Sequence, residues 1–430
     1  MLLISTPFVP LARRQAQVLG LPNLARVVLP HPIGGTQLPE VFAKIDAALD
    51  EILGALTTPL APVPVEPAKP ASSDWIELSV ADEWGALQDA FTERGWSDGL
   101  PVIPPTQERI DAFVATSGFA AEHFVATVAP KMGAASVAKI AANAIMAGCR
   151  PVHMPLLIAA VQAMAERQFN LYGLQTTTHC VAPLLIVSGP LQEALRINAG
   201  AGIFGPGPWA NGVLGRAIRF ILLNIGGGRP VEIDKATMGQ PGKFSFCIGE
   251  NEAASPWPGL RAEAGLDGSV SAVTVVGGEA PHNINDHESA TAGGLLMMMT
   301  GTMAQTGQNN VYYAGQPLLL MCPEHAATIA AEGYTKADVQ RHIYDEARIP
   351  LAHFSAANIE RRMWRKFPRR FRNLPNASVP IAQCWEDVMV VVAGGAGKHS
   401  MYVPTFGATR AVTRPILKAD GAPMLPADIV

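Results

Sequence analysis

The stretch Ala182–Gly189, APLLIVSG, decides the fold. Its apolar run is unbroken and bounded by proline and glycine, so it reads as a strand buried on both faces, the pattern of a parallel-sheet interior. Upstream, the spacing predicts a helix from about Ser136 to Ala147, stopped by Gly148, and a second helix over MPLLIAAVQAMAERQ. Downstream, AGGLLMMMTGTMAQTG reads as a helix and QPLLLMCP as a strand at similar separation. A duplicated α/β unit would produce this echo, and so would ordinary α/β patterning. PEHAATIAAEG and TKADVQRHIYDEAR read as helices, the second opened by Thr335 as N-cap, and VMVVVAGGAGKHS adds a buried strand and a glycine-rich turn. The expected class is α/β, with a large, mainly parallel catalytic domain expected over residues 75–430.

The N-terminal segment repeats the logic on a smaller scale. LLIS, residues 2–5, and ARVVLP, from Ala25, read as strands, and FVPLARRQAQVLG between them reads as a helix closed by Gly20. After the HPIGG loop, Leu38–Leu56 places Val41, Ile45, Leu49, Ile52 and Leu56 on one helical face. Residues 1–57 therefore form an incomplete βαβα unit, because two parallel strands with two helices cannot build a covered sheet. A second chain or a missing N-terminal segment is expected to complete it, and a homo- or hetero-oligomer follows. Residues 58–74 are rich in Pro and Ala and read as a semi-rigid linker.

Composition narrows the function class. The chain has 430 residues, 49% of them hydrophobic and 16% charged, with a formal charge of −4, which offers no basic field for nucleic acid or anionic lipid. A small-molecule substrate is expected instead. No apolar stretch reaches the ~20 residues of a membrane helix. Arg13 and Arg14 follow the first apolar run, the reverse of a secretory signal, so a cytoplasmic location is expected. Cys149, Cys180, Cys247, Cys322 and Cys384 are dispersed without a CxxC pair, and they read as reduced thiols. The basic stretch RRMWRKFPRRFRNLP, from Arg361, reads as a solvated or interface face ahead of an anion-binding one.

Chemistry concentrates in two polar islands. In DKATMGQPGKFSFCIGENE, Glu250, Asn251 and Glu252 follow a short strand, where α/β sheets hold ligands, and paired carboxylates suit acid and base roles or a cation. Lys243 lies in the same island. In PHNINDH, His282 and His287 bracket Asn283, Asn285 and Asp286, and His282, Asp286 and His287 are candidate ligands for a divalent metal. Asn251, Asn283, Asn285, Lys243 and Arg150 are the expected substrate contacts. Cys149 follows a helix end beside Arg150, whose charge would lower a thiol pKa, so it is the candidate nucleophile. His179 and Cys180 precede the buried strand at its N-terminal edge and read as structural. The glycine-rich segment from Ile197 to Gly228 could present backbone N–H groups to an anion, but it is neither a Rossmann fingerprint nor a P-loop.

These motifs resemble the bacterial family named for its UGSC or CGSC motif, which contains selenocysteine or cysteine. TPFVPLARRQAQVLGLPNLARVVLPHPIGG looks like the distal half of that family's small redox-motif domain. GWSDGLPVIPP, NAIMAGCRP, PLLIVSGP, GKFSFCIGENE and PHNINDH look like its large C-terminal domain. The resemblance implies redox chemistry centred on a thiol or selenol, with no substrate to carry over. The CGSC motif itself does not occur in the chain. The main nucleophile, cysteine or selenocysteine, is therefore expected from a second polypeptide or from an upstream segment. Two classes follow: a thiol- or selenol-dependent redox enzyme using Cys149, Glu250, Glu252, His282 and His287, or a metal-dependent hydrolase or lyase built on the histidine and carboxylate cluster.

Overall fold

The computed structural model describes residues 1–18, 21–34, 36–59, 84–313, 315–371 and 373–429. From residue 60 the expected linker lies outside the described residues, as does the helix stop at Gly20.

Strands β1 (Leu2–Ser5) and β2 (Arg26–Leu29) pair in parallel, with helix Val9–Val18 between them. The helix expected over 38–56 is split at Ala48 into Leu38–Ala47 and Leu49–Thr57. This two-stranded sheet is thinly covered: Leu3, Val28, Phe42, Leu53 and Leu56 are all exposed. It is tied to the rest of the chain by Gln15, which donates to the Pro130 carbonyl, and by Arg361, which donates to Thr36 and Gln37. Much of the basic stretch is thus an internal contact surface. Arg362 stacks over Tyr312, and Arg370 donates to the Val311 and Asn310 carbonyls.

Among the described residues the body carries twelve further strands. Two short pairs lie apart, β3 (Phe124–Val128) with β4 (Gly133–Ser136), and β10 (Arg348–Pro350) with β11 (Ser378–Pro380). The other eight are β5 (Ala182–Ser188), β6 (Cys247–Gly249), β7 (Ala272–Gly278), β8 (His282–Asn285), β9 (Leu318–Met321), β12 (Met389–Val392), β13 (His399–Val403) and β14 (Val412–Pro415). They build two sheets in the orders β14-β7-β5-β6 and β8-β13-β9-β12.

Side-chain alternation explains why the strand sequences are apolar throughout. From β5, Ala182, Leu184 and Ile186 enter a core shared with Leu318 and Leu320 of β9 and with Met389 and Val391 of β12. The intervening Leu185 and Val187 turn to the helices Val137–Ala147, Met154–Ala165 and Trp209–Phe220. In the second sheet, Leu319, Met321, Val390 and Val392 face the helices Ala292–Met303, Pro323–Ala331 and Lys336–Glu346. The result is four layers, helix, sheet, sheet, helix, with three stacked cores. The expected helix limits hold locally: Ser136 caps the first helix through the Lys139 amide, Gly148 ends it at φ 94°, and Thr335 forms a capping box with Asp338.

The two sheets repeat one topology. In each, two neighbouring strands run parallel (β5 with β6, β9 with β12), and an antiparallel third (β7, β13) lies beside the central one. The fourth strands are exchanged. β8 follows β7 in the chain but pairs with β13, and β14 follows β13 but pairs with β7. The chains cross at Gly278 and Thr405, where Glu279 donates to Pro404 and Phe406 donates to Gly277. The echo between PLLIVSGP and PLLLMCPE is therefore a repeat of topology. The sheets are α/β as expected but mixed, not mainly parallel. A strand covered on both faces reads as a continuous apolar run whichever way its neighbours point. No helix among the described residues is long and apolar enough to cross a membrane.

Because Leu184 and Leu318 are fully buried at equivalent places in the shared core, Leu184→Ala and Leu318→Ala should each lower unfolding free energy by about 2–5 kcal/mol. Leu3→Ala, at an exposed site, should change it by less than about 1 kcal/mol. Denaturant melts of the three variants check both statements.

Candidate functional site

The polar islands lie along one edge of the second sheet, where β8, β9 and β12 end and β13 begins. Asn251 donates its backbone N–H to Val392, the last residue of β12, and its side-chain amide to Gly394. Asp286 and His287 follow the end of β8. With β9 and β13 between β12 and β8, three strand spacings of ~4.8 Å put the islands about 14 Å apart. They share an edge and are anchored on its outer strands, β12 and β8.

Between them lies a cluster that the sequence reading did not single out. Cys322 is the N-cap of helix Pro323–Ala331, with extended backbone at φ −67° and ψ 153°. Its N–H donates to the Ser400 hydroxyl at 3.1 Å, and His325 Nδ1 lies 2.8 Å from the same hydroxyl. His325 Nε2 lies 3.1 Å from the Asp286 carbonyl, which can only accept. Nε2 therefore carries the proton, and Nδ1 accepts from Ser400. Cys322, His325 and Ser400 are almost fully buried.

The electrostatics favour charge separation in this pair. Burial pushes the Cys322 thiol up, but the His325 ring and backbone N–H, the imidazole's charge and Ser400 outweigh it, so the pKa falls below the ordinary value. Burial pushes His325 down, but Cys322, the Asp286 carbonyl and the Asp286 charge outweigh it, so its pKa rises. A helix N-terminus adds its own preference for an anion. The arrangement is that of a thiol with a base at hand. Glu324, in the first turn of that helix, accepts from Gly397 at 2.8 Å and so ties down the glycine-rich turn after β12.

The residues expected to form the site are otherwise engaged. Glu250 is buried, accepts from Ser188 at 2.5 Å and from Leu260 N–H at 3.1 Å, and has a raised pKa. Burial is the main cause of that rise, opposed by Ser188, Lys336 and the Leu260 N–H and reinforced by Glu252. Glu252 pairs with Arg261 at 2.8 Å. Both carboxylates hold the loop after β6. Asn283 meets His399 Nδ1 at 2.9 Å, and His399 meets His287 at 3.1 Å, in an exposed patch where Asn285 is also exposed. His282 opens β8 and His287 lies two residues past its end, and the ligand atoms of His282, Asp286 and His287 are not among the described ones that converge, so these three do not form one ligand set. Among the described residues, the group of His, Cys and carboxylate atoms close enough to share an ion is His179, Cys180 and Glu279.

Cys149 is also corrected. Its thiol donates to the Val213 carbonyl, and burial, with a smaller contribution from Cys247, raises its pKa far above the ordinary value. Arg150 does not activate it, because that guanidinium stacks over Trp209 at 4.0 Å. Lys243 pairs with Asp234 at 2.6 Å, near Cys180 and away from the Cys322 edge. GWSDGLPVIPP borders a cavity of about 580 Å³ lined by Phe91, Trp96, Ile110, Asn143, Met146 and Asn224 among others. Neither cysteine nor histidine lines it among the described residues.

Fold and cluster together define an α/β protein with a buried Cys–His pair at a strand end. Residues 1–58 match the model of the UGSC family, which bears out the resemblance over the βαβα unit. No curated protein and no solved structure matches the chain.

The environment of Cys322 sets its titration. With a lowered folded-state pKa, the thiolate persists as pH falls below the ordinary thiol range of about 8.5 and is lost only on passing the lowered value. In a variant keeping Cys322 as its one cysteine, His325→Ala should leave burial dominant and move the transition above that range. Ser400→Ala should move it up by less. Ultraviolet thiolate absorbance against pH reads both shifts.

Proposed function

We propose that this chain is one component of a thiol- or selenol-dependent redox enzyme acting on a small molecule, with Cys322 as its thiolate. The observation that supports this most is the Cys322–His325 pair, in which each group's shift favours thiolate and imidazolium. The family match over residues 1–58 supports the same chemistry.

In this reading Ser400 turns its O–H away from His325 Nδ1, and that nitrogen takes the Cys322 proton in its place. The thiolate attacks one sulfur of a small disulfide. A bond forms from Sγ to that sulfur, the substrate's S–S bond breaks, and the departing thiolate takes the proton from His325. The thiol or selenol of a Cys-Gly-Ser-Cys element, supplied by another polypeptide or segment, then attacks Cys322 Sγ and releases the second substrate thiolate, and the element's other cysteine attacks the new bond, closing the element's own disulfide or selenylsulfide and restoring the Cys322 thiolate. The thin cover over β1 and β2 is where that element would dock, with Leu3 and Val28 exposed for it. Units 1–57 and 75–430 would thus act together. Glu250, Glu252 and Asn251 shape the edge from one side, and Asn283, Asn285, His287 and His399 border it on the other.

The test is stoichiometric reaction of the full chain with a small aromatic disulfide. In a Cys384→Ser background, which removes the exposed thiol, one thiol should react ahead of the rest, Cys322→Ser should abolish that phase, and His325→Ala should slow it about 10²–10⁴-fold. Its rate should reach a plateau below the ordinary thiol range. An undiminished fast phase in Cys322→Ser would overturn the assignment.

A further inference from the structure

We propose that His179, Cys180 and Glu279 form a binding site for a zinc-like divalent transition-metal ion at the end of the first sheet opposite the Glu250 loop. Antiparallel pairing of β5 and β7 sets Ala182 against Gly278. The residues just before β5 and just after β7 therefore meet, although His179 and Glu279 are 100 positions apart.

The ligand atoms of the three side chains lie within 4.8 Å of one another, and all three residues are partly buried. His179 Nε2 is 2.5 Å from Glu279 Oε1. His179 Nδ1 is buried without a hydrogen-bond partner among the described residues, so the protein satisfies only half of this imidazole. The ring is held against Phe406 with centroids 5.6 Å apart. A nitrogen, a thiolate sulfur and a carboxylate oxygen form the mixed donor set that zinc accepts in tetrahedral geometry, at ~2.0–2.3 Å from the ion. Closing the widest separation by about an ångström, while His179 Nε2 and Glu279 Oε1 part by somewhat less from 2.5 Å as the ion replaces the proton between them, would reach those distances. The ion's charge would neutralise a thiolate beside a carboxylate, two anions that repel each other without it.

Three protein ligands leave a fourth position. Partial exposure of His179 and Glu279, at 15% and 21%, opens that position to water or to an oxygen-bearing small molecule. Burial and the Glu279 carboxylate push the Cys180 thiol up in the absence of an ion, and Lys243, whose ammonium pairs with Asp234 at 2.6 Å, offsets only a small part of that rise. This site uses none of the residues of the Cys322 edge, so it stands or falls separately from the thiol reaction.

The test is titration of chelator-treated full-length protein with Co²⁺ alone, followed by competition with Zn²⁺. One equivalent should bring thiolate-to-cobalt charge-transfer absorption with the visible bands of tetrahedral cobalt, and Zn²⁺ should erase both. Cys180→Ser should lose the charge-transfer band, and Cys322→Ser should keep it. Glu279→Gln, which preserves side-chain shape and guards against a misfolded serine variant, should weaken binding by more than about tenfold, the least that loss of even a group behind a metal ligand costs. Absence of the band in the parent protein would overturn the site. So would its persistence in Cys180→Ser or its loss in Cys322→Ser.

Discussion

Strands β5 and β9 have no face to turn toward water. Every residue of each is buried, one face against the opposite sheet and one against helices. The four-layer arrangement follows from this, since a sheet apolar on both sides must be covered twice. Each fully buried leucine contributes roughly 1.5–3 kcal/mol, and the three cores share that contribution across both halves. The layers also fix the chemistry: with faces sealed, polar groups gather at strand ends, and both candidate sites lie there.

What could be read from the sequence was what depends on near neighbours. The Ser136 and Thr335 caps, the Gly148 stop and the apolar run at 182–189 are set by residues within a turn or two, and each appears where the spacing puts it. Strand direction was not legible, because an apolar run says how a strand is covered and not which way its neighbour points. The exchange of β8 and β14 depends on pairings such as Val412 with Val275, far apart in the chain.

The candidate site divides in the same way. Placing Glu250 and Asn251 after a strand was a local inference, and both follow β6. Their roles were not local: Glu250 caps a neighbouring segment, and Asn251 joins the two sheets. Cys322 was passed over because the residues before it are apolar; His325, three positions on in the first turn of the helix it caps, was the legible signal, whereas the hydroxyl beside it comes from Ser400, 78 residues on. Cys149 misled for the complementary reason. Adjacency to Arg150 in the chain is not adjacency in space, and burial governs that thiol.

The exchanged fourth strands impose an order on vectorial synthesis. The first sheet cannot close until residues 412–415 have left the ribosome, since β14 flanks β7. Until then β7 presents an unpaired edge beside an apolar surface, the kind of surface that recruits other chains. Pairings this far apart in sequence also make for slow folding. Neither half of the body can mature as an independent foldon, and removal of the segment around β14 would strip a strand from the half made first.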